Sequence, residues 1–402
     1  MVPLRFPRNL PLPACLVVLI CLQFTACNPR PPAPSYEGYG YLLVAPETLL
    51  PSVEDLAAYK ESKGFLVDTV SLEEILAASP GNDDPEKVRN YLLGYSALTS
   101  TREFVLLVGS MDTLPMRIAY PDPNDHGRIV PTDFYYEELT GGWDADSDGF
   151  YGEYGDDMSK MTDDYVTELY VGRLPWDETE EILAICDAII SYQEDTSSRM
   201  TRTIGAAATI QEPCDAALYV QTAMLTVAAP AGYESITLYE DCPALAPDFE
   251  LTRDNFLTQW EVHEPGLVSW FSHGFWGATD FISVDEYPQE VKPAVVLTSA
   301  CTVGAPDAVS VGRVLVREGL AAGFLGGTRS TYFGYNPIPC FTAQFKVGTS
   351  LITEQRALAD AKRVSIEYLV RHEQVPQNLS GDAFHQDLFG FIIYGDPSVQ
   401  LR

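Results

Sequence analysis

Two apolar runs that each stop at a reactive residue do most to limit what this chain can be. Gly266-Leu267-Val268-Ser269-Trp270-Phe271-Ser272 leads into His273-Gly274, and Ala294-Val295-Val296-Leu297-Thr298-Ser299 leads into Ala300-Cys301. Both runs read as short buried strands. In an open α/β sheet, ligands bind just outside the carboxyl ends of the strands. Two neighbouring parallel strands therefore place an imidazole and a thiol at one edge, which is what a thiol nucleophile and its acid/base partner need. Taken singly, a cysteine after a strand is usually a small buried hydrophobe, and a lone histidine near a core is usually structural. Taken together, beside the small residues Gly274 and Ala300, they read as a catalytic pair. Glycine lets backbone approach a substrate closely, and the N–H groups of Gly274 and Cys301 are candidates to face a developing oxyanion. Of the five histidines, only His273 ends an apolar strand and leads into glycine.

Strand and helix patterns alternate along the rest of the chain, which is the signature of α/β layers. Strands are expected over residues 41–44, 65–70, 103–108, 169–171, 203–210, 235–238, 267–272, 294–299 and 321–325. Ser52 with Asp55 resembles a capping box for a helix ending near Gly64. Asp84-Pro85 opens a helix to about Leu98, with proline in its first turn. Further helices are expected over 179–192, 216–228, 254–260, 309–318 and 351–368. Between Asp112 and Asp164 the pattern gives way to long loops. The expected fold class is α/β, in two doubly wound subdomains with mainly parallel sheets, divided near Pro175. Residues 39–175 form the first, carrying an aspartate-rich loop, and residues 176–402 form the second.

That loop, Asp144-Ala145-Asp146-Ser147-Asp148-Gly149, has oxygens at alternate positions and then a turn glycine, the opening of a calcium loop. Position twelve is Gly155, so Glu153, Asp156 or Asp157 has to replace the usual glutamate. The expected ligands for a structural Ca²⁺ are Asp144, Asp146, Asp148 and Glu153; a plain acidic surface loop is the alternative. No His/Cys cluster has zinc spacing, so no catalytic metal is expected.

The N-terminus reads as an export leader. Arg5 and Arg8 precede an apolar stretch from Leu10 to Phe24, the charged-then-apolar plan of a secretory signal. Pro11 and Pro13 interrupt it, and it is shorter than the ~20 residues a membrane span needs. Phe24-Thr25-Ala26-Cys27 is close to a bacterial lipobox. Residues 1–26 are thus the leader, Cys27 the lipidation site, and residues 27–38 a proline-rich tether. Asn28 in place of aspartate favours outer-membrane anchoring. Five cysteines remain: Cys186, Cys214, Cys242, Cys301 and Cys340. An odd number in an exported protein flags a free thiol, which Cys301 fits, while Cys214 and Cys242 lie beside loops where they can pair. The formal charge of −32 repels phosphates and excludes nucleic acid as a partner.

The ordered motifs Tyr41-Leu42-Leu43-Val44, Pro131-Thr132-Asp133-Phe134-Tyr135-Tyr136, Tyr170-Val171-Gly172-Arg173-Leu174-Pro175, His273-Gly274, Ala300-Cys301 and Tyr394-Gly395-Asp396-Pro397-Ser398 resemble the gingipain-type cysteine peptidases, relatives of caspases, legumain and clostripain. The resemblance spans roughly Tyr39 to Arg402. It implies a caspase-like second subdomain with flavodoxin- or Rossmann-like layering, and a Cys301–His273 dyad. It also implies a third member at Glu168 to orient the histidine, a primary-pocket acid near Glu181 and an aromatic pocket wall at Tyr332 and Phe333. For Glu168 the alternatives are pairing with Arg173 or simple exposure; for Glu181, a charge complementing a helix dipole; for the aromatics, a place in the core. The implied function is a lipid-anchored cysteine endopeptidase acting on proteins or peptides. A transpeptidase of the same fold and a non-catalytic surface binding lipoprotein are its rivals. The chain differs from gingipains in having only a tether before Tyr39 and in ending just past Gly395-Asp396-Pro397, which puts the family's zymogen control and usual secretion route in question; the resemblance fixes no oligomeric state.

Overall fold

The computed structural model describes residues 34–98, 102–157, 165, 167–332, 339–372 and 381–401. The leader, Cys27, Asp164, Phe333 and most of the tether lie outside the described residues. Tyr36, at the tether's end, is already buried, and its hydroxyl donates to Asp360 at 2.9 Å.

Among the described residues, fifteen strands follow in chain order. They are β1 (Gly40–Ala45), β2 (Leu66–Ser71), β3 (Glu103–Val108), β4 (Arg117–Ala119), β5 (Val130–Thr132), β6 (Leu169–Leu174), β7 (Arg202–Ala207), β8 (Glu234–Tyr239), β9 (Phe249–Glu250), β10 (Leu267–Phe271), β11 (Gly274–Phe275), β12 (Ala278–Thr279), β13 (Ala294–Thr298), β14 (Ala321–Gly327) and β15 (Phe391–Gly395). Eleven of them form one sheet in the order β2-β1-β3-β6-β15-β14-β13-β10-β7-β8-β9. The strands on either side of Pro175 thus share a single sheet. Each half is parallel within itself, and the halves meet antiparallel where β14 pairs β15, Gly323 opposite Gly395 and Gly327 opposite Phe391. The carboxyl ends of β7, β10, β13 and β14 therefore share an edge with the amino ends of β3 and β6.

The helices are α1 (Glu54–Ser62), α2 (Leu72–Ala78), α3 (Asp84–Ser96), α4 (Phe134–Glu137), α5 (Thr179–Glu194), α6 (Asp215–Ala223), α7 (Arg253–His263), α8 (Val311–Arg317), α9 (Pro339–Glu354), α10 (Leu358–His372) and α11 (Gly381–Gly390). They cover both faces, because successive strand residues point oppositely. Tyr41 and Leu43 enter one core, and Leu42 and Val44 the other. Two expectations change. The capping box is Ser71 with Glu74 at the start of α2, while the Ser52 hydroxyl donates to the Leu49 carbonyl and does not cap α1. The helix expected over 351–368 is two helices, separated at Gln355, which adopts φ 53°.

Several sequence motifs prove to be buried joints. Arg173 forks onto Asp133 at 2.7 and 2.8 Å and also donates to the carbonyls of Gly109 and Leu114. A Cβ on Gly172 would lie 2.6 Å from the Gly395 carbonyl oxygen, so only glycine allows β6 and the end of β15 to pack this closely. Asp396 accepts from Lys60, Gln193, the Tyr41 hydroxyl and Ser398. Lys60 and Asp396 are both fully buried. Cys214 and Cys242 form a disulfide, and Cys186 is a buried free thiol. Among the described residues, no helix is long and apolar enough to cross a membrane.

Candidate active site

Strands β10 and β13 are parallel neighbours with Trp270 opposite Thr298. His273 and Cys301 each follow three residues beyond that pair, so both leave the sheet at the same level. A Cβ on Gly274 would lie 2.2 Å from the Cys301 carbonyl oxygen and 2.8 Å from its nitrogen. The glycine is what allows the histidine loop to lie directly against the cysteine backbone. Beneath both strands, the buried Gln344 of α9 donates to Ser269 Oγ and to the carbonyls of Trp270 and Leu297, and accepts from Ser299 Oγ at 2.5 Å. One side chain thus ties the histidine strand to the cysteine strand.

His273 is exposed, but its orientation is set. Its backbone N–H donates to Asp280 Oδ2 at 2.9 Å, and Nε2 lies 3.0 Å from the Ile210 carbonyl oxygen. A carbonyl only accepts, so Nε2 carries the hydrogen and the neutral ring keeps its lone pair at Nδ1. Ile210 lies in the loop after β7. Asp215 fixes that loop by accepting from the N–H groups of Ile210, Gln211 and Glu212. Burial raises the Asp280 carboxyl above its ordinary range, opposed by the His273 N–H.

Cys301 is half-buried. Thr331, past the end of β14, surrounds its sulfur. The Thr331 N–H donates to Sγ at 3.4 Å, and the Thr331 hydroxyl and carbonyl oxygens lie 3.6 and 3.7 Å away. The Thr331 hydroxyl in turn donates to the Ser299 carbonyl at 2.6 Å.

Two of the expected site residues are placed differently, and a third adjoins the site. Glu168 stands at the start of β6 on the same edge, but three strand spacings from β13, roughly 14 Å. Its carboxylate accepts from the Leu139 N–H at 2.7 Å and the Thr140 hydroxyl at 3.2 Å. It does not reach His273, and the Ile210 carbonyl occupies the orienting position. Arg173 is not its partner either, being committed to Asp133. Glu168→Gln should therefore lower kcat/KM by roughly tenfold or less, well short of the ~10⁴ lost when a triad's tautomer is upset; comparison with wild type at matched folded fraction checks this. Glu181 lies in the first turn of α5, beyond the carboxyl end of β6. Because β6 runs against β13, that is the opposite edge of the sheet, where the acid complements the helix dipole. Tyr332 does adjoin the site: its N–H donates to Asp387 at 2.7 Å, and Arg128 sits 5.4 Å from its ring centre. Burial holds the Asp387 carboxyl well above its usual range.

In the aspartate-rich loop, carboxylate oxygens of Asp144, Asp146 and Asp157 lie within 4.8 Å of one another, as do those of Asp146, Asp148 and Glu153. Asp157 thus lies beside the expected ligands Asp144 and Asp146. Burial and the nearby Glu153 push Asp157 up to about 6, against three backbone N–H donors that favour its charge. Glu153 also meets His126 Nε2 at 2.7 Å. Hard oxygen donors in this number suit calcium.

Ile210, Thr331 and Gln344 were not found from sequence. Extending the carboxyl-edge rule from β10 and β13 to β7 and β14 would have pointed to the first two.

The model of Peptidase family C25 matches residues 35–402. Among solved structures, the Arg-specific cysteine proteinase gingipain R (RgpB) superposes with TM-score 0.70 at 15% identity, over 92% of this chain and 80% of that one. The complex of the pro- and mature domains of Porphyromonas gingivalis RgpB gives TM-score 0.68 at 14% identity, over 90% and 79%. These likenesses show the fold. No curated sequence matches the chain.

Proposed function

The chain belongs to Peptidase family C25 and is a cysteine-type peptidase, and from that premise we propose that Cys301 and His273 are the pair through which it cleaves proteins or peptides. The observation that carries this reading is the Gly274–Cys301 contact, together with an imidazole whose Nε2 is tied to Ile210. Cys301 Sγ attacks the scissile carbonyl carbon while the thiol proton passes to His273 Nδ1. The oxyanion is held by the N–H groups of Gly274 and Cys301. Collapse breaks the C–N bond, and the departing amine takes the proton from Nδ1. Water then gives a proton to Nδ1 and adds to the thioester, and release of the acid restores the thiol.

A peptide-library cleavage profile, with mass spectrometry for an acyl or inhibitor adduct on Cys301, tests this. Cleavage products with the adduct on Cys301 support the hydrolase. An adduct whose acyl group passes only to added amines favours the transpeptidase. No reaction at Cys301 leaves the binding-protein reading.

Two accessory features belong to the same proposal. Cys27 carries a lipid that holds the enzyme at the cell envelope, on the outer-membrane side by the rule for Asn28. An alkyne fatty acid should label the wild type and spare Cys27→Ser. The aspartate loop holds one structural Ca²⁺ through Asp144, Asp146, Asp148 and Glu153, with Asp157 in support. Binding only the native state, the ion adds about 2.7 kcal/mol at a hundredfold excess over Kd. A chelator should accordingly lower the melting temperature of the wild type and leave Asp146→Asn unmoved.

A further inference from the structure

The chain beyond His273 forms a two-stranded hairpin, β11 with β12, in register Gly274 to Thr279 and Phe275 to Ala278. At its tip, Phe275 and Trp276 are 66% and 65% exposed. Val309, in the loop that follows Cys301, is 56% exposed. The hairpin turn lies against that loop: a Cβ on Gly277, next to Trp276, would lie 3.8 Å from the Val309 carbonyl oxygen and 3.5 Å from the Val284 side chain.

The hairpin is held firmly. Val284 N–H donates to the Gly277 carbonyl at 2.9 Å, and Thr279 N–H to Ile282 at 2.7 Å. Phe281, just past the hairpin, is buried against Phe256 and Trp270. Two large aromatic side chains are thus displayed to solvent on fixed backbone, at the edge of the dyad. Rigid aromatics lose little freedom on binding, so contacts to them yield net affinity. Large apolar side chains exposed on one hairpin and on the loop it packs against are the kind of surface that binds a partner.

The chemistry says which part of a substrate meets it. His273 gives its proton to the departing amine, so the amine and the residues attached to it lie on the His273 side of Cys301. The hairpin continues outward from that side. We propose that Phe275, Trp276 and Val309 form the subsite for the leaving half of the peptide, one that takes a large apolar side chain at the first or second position after the scissile bond. This rests on the reading of Cys301 and His273 as the catalytic pair.

The test uses internally quenched peptides that share one amino-terminal half, taken from the library profile, and vary only in the two positions after the scissile bond: Phe or Leu against Ser or Asp. The full chain should prefer the apolar series by about tenfold in kcat/KM, the range one apolar pocket contact provides. Trp276→Ala and Phe275→Ala should each bring the two series to within roughly threefold of one another. A peptidyl fluoromethyl ketone, which carries no residue beyond the scissile position, should label Cys301 in both variants at the wild-type rate. Normal cleavage with a flat preference in the wild type overturns this inference and leaves the peptidase reading standing. So does a preference that both variants keep, or a patch whose truncation alters only self-association in sedimentation. Failure of the wild type to cleave any peptide, with Cys301 unlabelled, overturns the peptidase reading and this inference with it.

Discussion

Cys301→Ala is expected to abolish peptide cleavage, with kcat falling by on the order of 10⁴ or more, since removing one member of a nucleophile–base unit costs about as much as removing all of it. His273→Ala should do the same, and the double variant should be little worse than either single. The reason is local. Thr331 and the Gly274 contact position one sulfur, and the Ile210 carbonyl fixes one imidazole tautomer. No neighbouring group described at the site can replace either function. Neither substitution should unfold the protein, because Cys301 is only half-buried and His273 is exposed. Steady-state rates, paired with circular dichroism to show an unchanged fold, check this. Full activity in Cys301→Ala would end the assignment.

The second large effect is on stability. Asp396→Asn should cost about 3–5 kcal/mol, the range for breaking a buried ion pair by removing one charge. Burial lowers the Lys60 amine below its ordinary range, and Asp396 is what holds it up. Without Asp396, folding must either bury an unpaired ammonium or release its proton. The unfolded chain then binds the extra proton, so the variant should grow more stable as pH rises toward the ordinary lysine range. Lys60→Met should cost less, because Asp396 keeps donors from Tyr41, Ser398 and Gln193. Urea midpoints for the two variants at two pH values separate these outcomes. Equal losses with no pH dependence would mean that the pair contributes through packing alone.

The parts of this molecule that were legible in the sequence are those coded locally. Runs such as Phe104-Val105-Leu106-Leu107-Val108 can hardly be anything but a buried strand, and Asp84-Pro85 marks the start of α3, which the structure caps one residue earlier through Asp83. The rule that ligands gather past carboxyl strand ends brought His273 and Cys301 together with no knowledge of register. The motifs shared with the family were read correctly as landmarks but without their physical meaning. Gly172, Arg173, Asp133 and Asp396 are joints between distant segments, and nothing near each residue in sequence names its partner. The antiparallel join of β14 to β15 was invisible for the same reason, since five residues at 391–395 pair with strands far upstream. That join also explains the misplacement of Glu181: reversing half the sheet sends the end of β6 to the opposite edge. Ile210 gives no residue-type signal, because it acts through a backbone carbonyl that every residue possesses; only its place past the carboxyl end of β7 marks it.

The position of β15 has a consequence for the order in which the molecule is built. A ribosome releases the strands of both half-sheets well before residues 391–395 exist. Until then β6 and β14 each present an open edge of unpaired amides, the kind of edge that invites pairing with other chains. Such late, long-range closure makes for slow folding. Thr331, which contacts the Cys301 sulfur, follows directly from β14, so the pocket around Cys301 gains its lateral support only when β15 docks. Proteolytic competence is thereby expected to await the docking of β15. Strand β15 serves as a clasp, and a nascent chain that has not yet received it has little means of attacking its neighbours.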